Sequence, residues 1–149
     1  MTRTLAVASV LAGALLTATP ARAASCSLVV WPIAFGTYNV FATAPTDTDA
    51  SVSFNCTASV SIIITLSAGN ASSLVRCNTG CSPTQLSYNL YLDAARTVIW
   101  GDQSHWSVYS NAHPPAGTWV YVQAYGRIPA GQDVAAGSYT DSVVVTVIY

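Results

Sequence analysis

Hydrophobic residues recur at every second position through most of this chain. Val143, Val145, Val147 and Tyr149 fall on one face of an extended segment, and Ser142, Val144, Thr146 and Ile148 on the other, because strand side chains alternate. β-branched and aromatic residues in that register predict a core-facing strand. Cys26, Leu28 and Val30 alternate in the same way until Pro32, and Ile33 and Phe35 resume the pattern before Gly36. Proline donates nothing to a ladder, so a bulge or a change of sheet is expected at Pro32. Further inward-facing sets are Val52, Phe54 and Cys56; Val60, Ile62, Ile64 and Leu66; Leu86, Tyr88 and Leu90; and Val120, Val122 and Ala124.

Between these sets stand Gly, Pro, Asn and Asp. Ala44-Pro45-Thr46-Asp47-Thr48-Asp49 reads as a turn-rich loop, residues 70–84 as a polar connection, and residues 103–117 as a loop. No stretch sustains a helical period. Roughly six or seven short strands with period-2 patterning predict a single all-β domain, an immunoglobulin-like sandwich first and a closed barrel second.

The first 23 residues stand apart. Arg3 precedes an apolar run from Leu5 to Leu16, and Ala21-Arg22-Ala23 is an A-x-A cleavage signal. The run is short of the ~18 residues of a membrane span, so a signal peptide over 1–23 and an exported domain over 24–149 are expected. That domain holds Arg76, Arg96 and Arg127 against six aspartates, with no Lys or Glu, for a net charge of −3. A basic face for nucleic acid or anionic lipid is excluded. With 7% charged and 52% hydrophobic residues, the chain is poorly solubilised as a monomer, which suits a protein buried in an assembly or escorted to one.

Four cysteines in an exported chain suggest two disulfides, with the pairing open. Cys26 opens one strand and Cys56 closes another, while Cys77 and Cys81 bracket Asn78-Thr79-Gly80. Zinc would need histidine at ligand spacing, and His105 and His113 stand alone. Asn70-Ala71-Ser72 matches a glycosylation sequon, a short and common pattern. No G-x-S-x-G elbow, paired glutamates or phosphate loop occurs. The chain therefore reads as non-enzymatic, and no cofactor is called for. Asp93, Arg96 and Asp102 read as turn caps and local ion pairs, and Arg127 as an ion-pair or stacking residue. Trp106, Tyr109, His113 and Trp119 make a candidate surface contact loop, weighed against Trp106 and Trp119 folding back onto the sandwich.

Several tracts stand in a telling order: Leu86-Ser-Tyr-Asn-Leu-Tyr91, Asp93-Ala-Ala-Arg-Thr97, Trp100-Gly-Asp102, Tyr125-Gly-Arg-Ile-Pro-Ala-Gly-Gln132 and Gly137-Ser-Tyr-Thr-Asp141. With Cys26 and Phe35-Gly-Thr-Tyr38 ahead of them, the mature chain resembles the spore coat protein U domain, the family that includes subunits of archaic (Csu-type) chaperone–usher pili. The resemblance implies an incomplete immunoglobulin-like (pilin-type) β-sandwich lacking its final strand. It also implies a periplasmic chaperone, an outer-membrane usher and other pilus subunits as partners, with the groove filled by strand addition. Val143, Val145, Val147 and Tyr149 would line one wall of that groove, and Leu28 and Val30 the other. The resemblance pairs Cys26 with Cys56 and leaves Cys77 and Cys81 as an extra pair.

A donor arm needs roughly ten residues at about 3.3 Å each. Cleavage after Ala23 leaves Ala24 and Ser25 ahead of Cys26. The expected role is thus a structural subunit of a surface fibre that accepts a strand but donates none, at a tip or as a terminator. The alternatives are a spore or cell-surface coat protein assembled through the same edge, and a self-contained lectin-like module.

Overall fold

The computed structural model describes residues 23–69, 74–76, 84–104 and 106–149. Nearly all of the expected signal peptide, the Asn70–Ser72 sequon, Cys77 and Cys81 lie outside the described residues. Among those described, eight strands are found and no helix: β1 (Cys26–Val30), β2 (Thr46–Cys56), β3 (Ile62–Leu66), β4 (Leu74–Arg76), β5 (Leu86–Tyr91), β6 (Tyr109–Asn111), β7 (Val120–Ile128) and β8 (Val145–Ile148). One sheet runs β1-β2-β7-β5-β4 and the other β6-β3-β8. All pairs are antiparallel except β4 with β5.

The two sheets close over the residues that the alternation points inward. Val52, Phe54, Cys56, Leu86, Tyr88, Leu90, Val122, Ala124 and Ile128 come from the larger sheet, and Ile62, Ile64 and Leu66 from the smaller. Trp100 joins them from a connecting segment and is fully buried. Its backbone amide donates to Leu90 O and its indole Nε1–H to Ile64 O, at 2.9 Å each. One side chain thereby ties the two sheets together, and a buried indole N–H has its required partner. The result is an incomplete immunoglobulin-like sandwich.

Three segments read as connections contain strands. Thr46–Asp49 is the first third of β2 and lies opposite Ile128–Tyr125 of β7. Aspartate is a poor strand former, but Asp47 faces Arg127 directly and receives two 2.7 Å hydrogen bonds from its guanidinium. β4 lies inside the polar stretch 70–84, and β6 inside 103–117. Both are three residues long, too short to display a period.

Candidate functional site

β1 and β4 are the outer strands of the larger sheet, and β6 and β8 those of the smaller. β8 pairs with β3 alone, and Ser67 extends that ladder through its amide to Val144 O and its hydroxyl to the Val144 amide. No strand among those described lies on the other side of β8. Its inward residues Val143, Val145 and Val147 are half-buried against the core, while Val144, Thr146 and Ile148 are exposed.

Beside this open edge runs a groove of about 1190 Å³. Residues 30–40 form one wall; residues 134–141 with Val143 and Val145 form the other. Leu66, Leu86, Tyr88, Leu90, Ala124 and Ile128 make the floor. Apart from Val30 of β1 and Val145 of β8, both walls lie outside the assigned strands. The first wall is tied to the segment that leads into the second: the Tyr38 hydroxyl donates to Pro129 O at 3.1 Å and accepts from the Gln132 amide at 2.9 Å.

The first wall exists because β1 leaves its sheet at Pro32. Trp31 still donates to Ser51 O, but beyond the proline Ile33 and Phe35 swing over the inner face of β7. They lie against Gly126, where an added Cβ would stand 2.6 Å from Ile33 Cδ1 and 2.9 Å from Phe35 Cζ. Phe35 then meets Tyr88 edge-on, with ring centroids 5.5 Å apart. Asp141 alone carries a charge among the described lining residues. The Tyr88 hydroxyl donates to its Oδ2 at 2.8 Å. Burial, reinforced by that carboxylate, holds the Tyr88 phenol well above its ordinary pKa, so it remains a donor throughout the accessible range.

The structure brings Val30, Val143 and Val145 together in the groove, while Leu28, Val147 and Tyr149 lie outside its lining. Leu28 and Tyr149 are exposed, the latter at 58%. Sequence marks Tyr88 as inward-facing and Ile33 and Phe35 as renewing the alternation, but it does not assign Tyr88 or the wall from Ile33 to Val40 to the groove. Cys26 and Cys56 face each other across β1 and β2 and are disulfide-bonded, with Cα atoms 4.1 Å apart.

The four residues of the expected contact loop differ in their burial. Trp106 is half-buried, close against Gly101, with the Arg76 guanidinium 5.2 Å above its ring. Tyr109 is in β6 and packs near Phe54 and Trp100. His113 and Trp119 are exposed. Asp93 caps its turn as expected, accepting from the amides of Thr97 and Val98; the Val98 bond foremost draws its pKa down. Arg96 reaches farther than a local pair, to Asp47 and Asp49 of β2.

A sandwich whose second sheet has three strands among the described residues, with a groove beside it, defines a class: an all-β domain with an incomplete immunoglobulin-like fold. The Spore Coat Protein U domain model matches residues 12–146, and the chain belongs to that family. Protein U of Myxococcus xanthus is 36% identical over 107 residues, covering 66% of this chain and 58% of that relative. Among solved structures, the CsuC–CsuE chaperone–tip adhesion subunit pre-assembly complex from the archaic chaperone–usher Csu pili of Acinetobacter baumannii matches with a TM-score of 0.58 at 19% identity. That match covers 85% of this chain and 40% of the other. The chain thus spans well under two thirds of either protein, and at that identity the second likeness concerns the fold.

Proposed function

We propose that this protein is an exported structural subunit of a chaperone–usher-type surface fibre, and that its groove accepts a strand from a periplasmic chaperone or a neighbouring subunit. The observation that carries the reading is the groove itself. Residues 30–40 and residues 134–141 with Val143 and Val145 line it over an apolar floor, and β8, which supplies Val145, has no strand on its other side among those described. An unpaired edge next to hydrophobic floor residues is an aggregation hazard in a free monomer. A strand laid between the walls satisfies the edge by backbone hydrogen bonds and seats alternate side chains on the floor. Membership of the Spore Coat Protein U family and the likeness to a chaperone-bound tip subunit support the same reading.

Placement at a fibre tip or end belongs to this proposal. Cys26 is tied to Cys56, and Ser25 is held on the sheet by hydrogen bonds to and from Thr57. Ser25, just ahead of the disulfide, thus continues the ladder of β1, which supports a role as acceptor rather than donor. The signal peptide over 1–23, with cleavage after Ala23, supplies the export route.

The deciding experiment is co-expression with a chaperone and an usher, followed by affinity capture and electron microscopy of the cell surface. A stoichiometric chaperone complex and labelling at fibre ends are the expected results. A chain that folds reversibly as a lone monomer sinks the proposal in favour of a self-contained lectin-like module. The family's description and Protein U favour a second reading, a coat protein of a spore or cell surface assembled through the same edge. Labelling spread over a continuous layer would select it.

A further inference from the structure

Among the described residues Phe41 is the most exposed large hydrophobic side chain, at 89%, and the groove does not account for it. Trp31, at 59%, lines the groove, so a strand laid there covers it. Phe41 follows directly on Val40, where the lining of the first wall ends, and is not itself part of that lining. Single apolar side chains are common on protein surfaces; this one is set apart by how its backbone is held. The Asn39 Oδ1 accepts from the Phe41 amide and the Asn39 carbonyl from the Ala42 amide, at 3.0 Å each, which makes an Asx turn. One residue before that turn, Tyr38 is bonded to Pro129 O and the Gln132 amide. Gln132 is locked in turn to β5, its Oε1 accepting from the Ser87 amide at 2.7 Å and its Nε2 donating to Ser87 O at 2.9 Å. The turn is thereby anchored to the floor of the groove while the ring at its tip stands in solvent. Ala44 and Pro45 beyond it are exposed as well, and no charged residue occurs between Ala23 and Thr46.

We propose that Phe41 is a docking knob for the folded body of the polypeptide whose strand fills the groove, seated in an apolar pocket of that partner, which exists only if the groove accepts a strand as proposed above. The walls give the reason. A strand lying along residues 30–40 belongs to a longer chain, and that chain leaves the groove at one of its two ends. Val40 marks one end, and Phe41 is one Cα step of ~3.8 Å beyond it. A partner emerging there meets the exposed ring first. Area decides against an independent interface. One aromatic ring with two small neighbours is far less than the ~800 Å² per partner of a stable contact, so the knob adds to a contact already made beside it, and the groove is that contact. A ring on an anchored turn loses little conformational freedom on docking, and buried aromatics of this kind carry much of the binding energy of an interface. The neutral surroundings of Phe41 make the docking apolar and insensitive to salt.

The test compares two probes on the full exported chain: a co-expressed chaperone, and a synthetic peptide of that chaperone's groove-filling strand alone. Phe41→Ala is expected to weaken the whole chaperone about tenfold or more and to leave the peptide's affinity unchanged. Phe41→Leu should keep most of the chaperone's affinity, and the loss in Phe41→Ala should be the same at low and high salt. The ring is exposed, so the variants are expected to melt with the parent. A Phe41→Ala chain that holds the chaperone as tightly as the parent overturns the knob and leaves the acceptor reading standing. Equal weakening of chaperone and peptide overturns it too, since Phe41 would then act through the shape of the groove. Failure of both probes to bind the parent removes the acceptor reading and the knob with it. Self-association lost in Phe41→Ala, with chaperone binding unchanged, would assign the ring to a second copy of this chain instead.

Discussion

Gly126 is where the first wall of the groove rests on the sheet. A methyl group there would meet Ile33 Cδ1 at 2.6 Å and Phe35 Cζ at 2.9 Å. Gly126→Ala is therefore expected to push the 33–35 segment outward and to cost about 1–3 kcal/mol as overpacking, measured by urea unfolding. Ile33→Ala in the same chain should recover part of that loss, because it removes the clashing methyl. Asp47 makes a different residue-scale prediction. The hydrogen bonds from Arg127, foremost, hold its carboxyl below the usual carboxylate pKa. A lowered folded pKa contributes stability that is present above the unfolded value and lost as pH falls through the folded one. The pair is partly exposed, so this amounts to about 0.5–1 kcal/mol, lost in acid below about pH 4. Arg127→Gln should remove that part of the acid dependence in unfolding curves taken across pH. Neither contact was legible beforehand. Gly126 shows no partner in the sequence, and Asp47 reads as a turn residue until Arg127 is placed opposite it.

Strands that bury one face were legible at the level of the element, and strands defined by a neighbour were not. β2, β3, β5 and β7 bury the positions that the alternation marks, because a half-buried strand must sort its side chains by face. β6 and β4 are three-residue pieces held in place by β3 and β5, so the information that makes them strands lies elsewhere in the chain. Arg76 in β4 illustrates this. Its guanidinium is buried and donates to Ser67 O and Trp100 O, backbone acceptors that no local pattern announces. β1 is the element most dependent on a covalent tie, since four of its five residues are exposed. The Cys26–Cys56 bond joins residues 30 apart, and chain entropy gives a loop of that size about 3.5 kcal/mol. The Cys26→Ser, Cys56→Ser double variant should lose about that much in denaturant midpoint. It should also free the β1 amides to hydrogen exchange, while β3, which is in the other sheet and does not pair with β1, keeps its protection.

The whole molecule is a sandwich with one side open, and the position of the opening was only half visible. Sequence placed Val143, Val145, Val147 and Tyr149 on one wall, and Val143 and Val145 line the groove while Val147 and Tyr149 do not. It placed the opposite wall on Leu28 and Val30 of β1, of which Val30 lines the groove and Leu28 does not, and the lining continues past Pro32 to Val40. A period-2 pattern tells which way a side chain faces but not which sheet the strand joins. The open groove makes a comparison within one strand possible. Val145 lines the groove, and Thr146, its neighbour, is exposed on the outer face of β8. An aspartate at either position puts a charge on the same edge, so a general loss of strand stability would affect both. Only Val145→Asp places an unpaired carboxylate where an incoming strand would bury it, a cost of several kcal/mol. If a donor strand enters the groove, Val145→Asp should reduce the chaperone complex recovered in co-expression by about tenfold or more, with Thr146→Asp close to the parent. Equal losses in the two variants would mean that β8 serves only to hold the fold together, and that any partner docks elsewhere.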